Sequence, residues 1–126
     1  MCADQKSRRL VSLGFTKEKV PEGQHICYLY NDDAERREVI SRYLESGLWA
    51  REKALYLMDT MEPAVMADRL QALGVDVPSG STALTLSDAP SAYCPGGTFD
   101  CSAMLDRVRN EYLQGIEEGY DGVRGS

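Results

Sequence analysis

The chain has 126 residues, which by length is one domain with room for a core of its own and no room for two. Its formal net charge is -6, with acidic and basic residues interspersed, which excludes the basic footprint of a nucleic-acid binder or of a protein held to an anionic membrane. Composition is ordinary for a globular protein, which excludes disorder.

The amino end, "MCADQKSRRLVSLGF", starts polar and has no apolar run suited to a signal peptide. No later segment approaches the ~20 apolar residues of a membrane span, so the expected location is the cytoplasm. There Cys2, Cys27, Cys94 and Cys101 are expected as free thiols or ligands rather than disulfides.

In chain order, residues 1–14 read as an N-terminal extension. Residues 25–30, "HICYLY", read as a strand with apolar residues on both faces, the mark of a parallel sheet covered by helices on each side. Asn31 or Asp32 is placed to cap a helix that runs to about Ser46, buries Val39, Ile40, Tyr43 and Leu44, and stops at Gly47 as its C' residue. Residues 54–59, "ALYLMD", read as a second strand. Thr60 is the expected N-cap of the next helix, with Pro63 near its start and Val65, Met66, Leu70 and Leu73 on one stripe before Gly74. A turn over residues 78–81 leads to a third strand, "TALTLSD", and then to a Pro/Gly loop, "APSAYCPGGTFD". The last long helix spans about residues 100–118, carries Leu105, Val108, Tyr112 and Ile116 at helical spacing, and ends at Gly119. "YDGVRGS" then opens another strand. A βα unit closes on a strand, so the domain reads as cut short at its carboxy end. The alternation of short apolar runs with amphipathic ones predicts an α/β fold of three layers, with a mainly parallel sheet flanked by helices.

The turn after the first strand has the layout of a phosphate loop without its residues. Converging amides need glycines, and the anion needs a lysine; "YNDDAERR" has neither, and Asp32 and Asp33 repel a phosphate. No nucleotide is expected. Adjacent aspartates on a helix start diverge, the chain has one histidine, and it lacks both a nucleophile elbow and a dinucleotide fingerprint, so the expectation is a protein without catalysis.

The run "GQHICYLYNDDAERREVISRYLESGLWAREKALYLMD" resembles the opening of the MEDS domain, a sensory domain named for methanogen and methylotroph regulators and for a dichloromethane-responsive repressor. "YCPGGTFDCSAMLDRVRNEYLQGIEEGYDGVR" is similar to that family's second half, with its Tyr, Gly-x-Phe-Asp and Gly-Tyr-x-Gly-x-Arg elements. The resemblance implies a small-molecule sensor, with hydrocarbon derivatives among the proposed ligands, fused or associated with a DNA-binding or kinase output domain. "YLESGLWAREKALYLMDT" is more distantly similar to RecA-like ATPases, which implies a RecA-like fold without a functional P-loop.

Ligands of open parallel sheets collect beyond the carboxyl ends of the strands. That rule selects Tyr30, Asn31 and Asp32, then Asp59 and Thr60, Asp88, and Tyr93 in the Pro/Gly loop. Arg124, matching the family's arginine, is a candidate partner for a carboxylate. His25 joins these at the opposite end of its strand. A different reading makes the domain a metal or thiol-redox sensor: His25 and Cys27, two apart on one strand face, with Cys94 and Cys101 closing over them. A third makes it a passive interaction module, as a homodimer.

Overall fold

A computed structural model describes residues 8–58, 62–75, 77 and 81–126. The described residues open with a two-stranded antiparallel hairpin, β1 (Leu10–Ser12), inside the stretch the sequence leaves as an extension, and β2 (Lys19–Pro21), beyond it. Then follow α1 (Asp33–Trp49), β3 (Glu52–Met58), α2 (Pro63–Ala72), β4 (Leu84–Asp88), the short α3 (Ala89–Tyr93), α4 (Cys101–Glu117) and β5 (Gly122–Gly125). Strands β4, β3 and β5 form a parallel sheet in that spatial order, with Ala54 opposite Leu84 and Glu52 opposite Gly122. The fold is α/β, a parallel sheet flanked by helices, as the alternating pattern predicts.

Residue period explains the packing. Alternate residues Ala54, Tyr56 and Met58 of β3 turn to one face, where they meet Leu44 of α1 and Met66 and Leu70 of α2 in the core. Leu55 and Leu57 turn to the other face and stay only partly covered. Ion pairs close the start of β3 on both sides: Glu52 binds Arg124, and Lys53 reaches Glu118 at 3.4 Å.

Three local expectations differ from the structure. Residues 25–30 form no strand; both neighbours of β3 are supplied by β4 and β5, and Leu29 and Tyr30 stand 88% and 51% exposed. The β-prone composition reports a fit to a half-buried pleated surface, and that surface is not beside this segment. Helix α1 runs past Gly47 to Trp49, because Gly47 is a buried contact point: a Cβ there would sit 2.8 Å from Cδ of Arg124. The Pro/Gly loop contains α3, whose N-cap Asp88 accepts from the amide of Ser91. On α4 the stripe at helical spacing is exposed at Leu105, Val108, Tyr112 and Ile116, two of which border the cleft described below, while the helix seats on the sheet through Gly115, whose bare Cα abuts Val123 and Lys53. Thr60 as an N-cap lies outside the described residues; the α2 N-cap position is Glu62, with Pro63 next.

Candidate functional site

The "YNDD" turn is a helix cap. Asp32 accepts from the amide of Glu35 at 2.8 Å, satisfying one of the free donors of the first turn of α1. Glu35 returns the favour, accepting from the backbone amide of Asn31 at 2.9 Å and from its side-chain amide at 2.8 Å. This is a capping box shifted by one residue. The Tyr28 hydroxyl adds a third donor to Glu35, at 2.7 Å. That bond, then those from Asn31, hold the Glu35 carboxyl below its ordinary range, and the same bond raises the Tyr28 hydroxyl. Asp33 pairs with Arg36 at 3.3 Å, and Arg36 lies 5.8 Å from the Tyr30 ring centroid.

Beside the cap lies a cleft of about 890 Å³. Its floor is the partly covered sheet face, Leu55, Leu57 and Val123. Val39, Ile40 and Tyr43 of α1 form one wall, and Met104, Val108 and Tyr112 of α4 form another. Residues 23–26 and Tyr28 make the third side, and Tyr93 stands at the end of α3. Tyr28 is fixed there by an edge contact with Phe15, ring centroids 5.2 Å apart, as well as by Glu35. The lining is mostly apolar, interrupted by tyrosines and by Arg109, Glu111 and His25. Such a mixture holds an apolar body and orients it by a few polar contacts.

A second, smaller cavity of about 520 Å³ adjoins the buried charges. Arg124 donates Nε to Glu52 Oε2 at 2.8 Å and Nη1 to the Tyr43 carbonyl at 2.8 Å, and its guanidinium lies 4.6 Å from the Tyr43 ring centroid. Arg9 donates Nη2 to the other Glu52 oxygen at 3.0 Å. Burial raises the Tyr43 hydroxyl, against the opposing charge of Arg124.

The structure therefore sorts the sequence candidates. His25 and Tyr93 share the cleft. Tyr30, Asn31 and Asp32 belong to the cap of α1, and Asp88 caps α3, where the bond from Ser91 lowers its carboxyl. Asp59 and Thr60 lie outside the described residues. Arg124 does pair with a carboxylate, the chain's own Glu52, near the amino end of the sheet. Cys27 and Cys101 are exposed free thiols and Cys94 a partly covered one, and among the described residues no three His, Cys, Asp or Glu side chains gather as metal ligands. Sequence reading missed Tyr43, Glu52, Tyr28 and Glu35 as site-forming residues. A legible signal existed for Glu35, three residues after a capping aspartate; for Glu52 the only hint is a charged pair opening an apolar strand.

The model of the MEDS family, the MEthanogen/methylotroph, DcmR Sensory domain, matches residues 24–126. Neither the curated proteins nor the solved structures contain a match to the chain. On the family match, which covers most of its length, the chain belongs to the MEDS family of sensory domains.

Proposed function

We propose that this MEDS domain is a non-catalytic sensor that takes a small, mostly apolar organic molecule into the cleft between α1, α4 and the sheet, and passes the event to a DNA-binding or kinase output domain. The observation that supports the reading is the cleft itself, an apolar floor with tyrosines and a few charged groups around it, in a member of a sensory family. The ligand class is a hydrocarbon derivative with a single polar group: the body lies on Leu55, Leu57 and Ile40, and the polar group meets a tyrosine hydroxyl, His25 or Arg109. Neither the metal centre nor nucleotide chemistry is required.

Thermal denaturation across a panel of small alkyl and aromatic alcohols, acids, amines and halides tests this. Binding to the native state alone raises stability by RT ln(1 + [L]/Kd), about 2.7 kcal/mol at a hundredfold excess over Kd. At least one compound class is expected to raise the transition midpoint in a dose-dependent way; a panel without any shift contradicts the reading.

The exposed stripe on α4 supports a second role. Leu105, Val108, Tyr112 and Ile116 form a row of large apolar side chains on one helix, a surface suited to self-association. Sedimentation equilibrium is expected to find a homodimer that Leu105→Gln with Ile116→Gln returns to monomer, and a monomer at all concentrations removes this role.

A further inference from the structure

The cleft and the smaller cavity adjoin, since Ile26, Tyr43, Tyr112 and Val123 line both. Past these residues the lining changes from apolar to charged. Arg8, Arg9 and Arg124 border the smaller cavity against Glu22 and Glu52, a local surplus of cations in a chain whose net charge is -6. The charges gather at the amino ends of β3 and β5, where Glu52 lies opposite Gly122.

The bonds within the cluster show where the surplus lies. Glu52 has both carboxylate oxygens taken, Oε2 by Arg124 Nε at 2.8 Å and Oε1 by Arg9 Nη2 at 3.0 Å. Arg9 Nε reaches Glu22 at 3.4 Å, which leaves Nη1 without a partner among the described residues. Arg8 makes no ion pair or hydrogen bond among those residues, and its Nη1 stands 3.9 Å from where a Cβ on Gly23 would lie, at a residue that lines both spaces. The hydroxyls of Tyr43 and Tyr112 make no hydrogen bond among them either. Guanidinium donors with hydroxyls beside them suit the two oxygens of a carboxylate. Arg8 and Arg9 precede residues 24–126, the stretch that the family model matches, so the family match does not convey this donor set.

We propose that the smaller cavity is an anion subsite and that the molecule taken by the cleft is a small organic acid. Its carboxylate meets Arg8 and Arg9, with the Tyr43 and Tyr112 hydroxyls as further donors, and its apolar body lies back across Tyr43 toward Leu55 and Leu57. A carboxylate balances the surplus charge, an alcohol leaves it, and an amine adds to it. The inference rests on the reading of the cleft as a ligand site and narrows its single polar group to an anionic one.

Thermal denaturation of the full chain with phenylacetate, 2-phenylethanol and 2-phenylethylamine, at fixed ionic strength near neutral pH, compares three polar groups on one apolar body. The midpoint shift against concentration gives an apparent Kd for each. Phenylacetate is expected to bind about tenfold more tightly than the alcohol, with the amine weakest. Arg8→Gln with Arg9→Gln is expected to bring the acid down to the affinity of the alcohol and to leave the alcohol unchanged. Arg9 also holds Glu52, so Arg8→Gln alone, at an exposed position, spares the cluster and is expected to weaken the acid about threefold. Arg109→Gln, in the cleft, is expected to leave the preference intact. Equal affinity for acid and alcohol overturns the anion subsite and leaves the sensor reading standing, as does a preference that survives the loss of Arg8 and Arg9 or disappears in Arg109→Gln. No shift with phenylacetate overturns it too; a hit elsewhere in the compound panel then keeps the sensor reading, and a panel without one removes both.

Discussion

Arg124 and Glu52 are each less than a twentieth exposed, 72 positions apart in sequence, and joined at 2.8 Å. Removing Glu52 leaves the buried Arg124 without a counter-charge, a loss of about 3–5 kcal/mol, whereas removing Arg124 leaves Glu52 with Arg9. Glu52→Gln is expected to lower the unfolding free energy by that order, and Arg124→Met by less. The double variant is expected to lose less than the sum, since neither charge of the pair then remains; a chemical-denaturation cycle with additive losses contradicts the pairing. Gly47→Ala belongs to the same cluster, because its Cβ meets Arg124 at 2.8 Å; it is expected to cost about 1–3 kcal/mol in the native chain and much less beside Arg124→Met. At Tyr28 and Glu35 the effect of pH has two signs. Glu35 has a lowered folded value, so its contribution is present above the unfolded carboxylate value of about 4.3 and is lost as pH falls through the folded one. Tyr28 has a raised folded value, so its contribution is complete below about pH 10 and is lost as pH rises through the folded value. NMR titration of both side chains is expected to show these opposite displacements, and Tyr28→Phe to return Glu35 toward the ordinary carboxylate range. A Glu35 titration unchanged by that substitution contradicts the Tyr28–Glu35 bond.

Among the elements, α4 makes the most exposed claim, that it seats through a glycine while its apolar stripe is left uncovered. A Cβ at Gly115 would lie 2.6 Å from Val123 Cγ2. Gly115→Ala is therefore expected to destabilise by about 1–3 kcal/mol, although alanine is the better helix former by about 1 kcal/mol, and Val123→Ala is expected to restore most of the loss. An alanine that stabilises the native chain contradicts the seating. What the sequence discloses of the elements follows the same division. The strand "ALYLMD" and the helix with N-cap Asp100 are legible because their own residues supply the pattern and the cap. Gly47 is misread because a helix-ending glycine and a glycine making room for a distant arginine look alike along the chain. The exposure of the α4 stripe is not legible because periodicity gives a face but not its direction. Residues 25–30 look like a strand, and whether they pair depends on which edge stands beside them, a property of the sheet order rather than of the segment. The cleft is only partly legible: the strand-end rule selects Tyr93, and His25 joins it from the other end of its segment, while Tyr43, Leu57 and Val108 come together from three separate elements.

Over the whole molecule, the sheet gives one face to a dense core and leaves the other partly covered, and that asymmetry creates the cleft. Ala54, Tyr56 and Met58 are sealed by α1 and α2, whereas Leu55 and Leu57 look into a space that α1, α4, residues 23–26 and the end of α3 surround without filling. Among the described residues no helix is long and apolar enough to cross a membrane. A cleft so placed touches the cap of α1 through Tyr28, the edge of the sheet through Val123, and the exposed stripe of α4 through Val108 and Tyr112, so occupancy bears on three surfaces that a partner domain could read. Filling it without a ligand is expected to abolish response: Leu57→Trp reduces the free volume on the sheet floor and is expected to remove any stabilisation found with the native chain. The account stands or falls most directly on the NMR footprint of the best compound from the thermal panel. It predicts amide and methyl shifts concentrated at Ile40, Leu57, Val108 and Tyr112 with β4 unmoved; shifts confined to surfaces outside the cleft, or none with any compound, would contradict it.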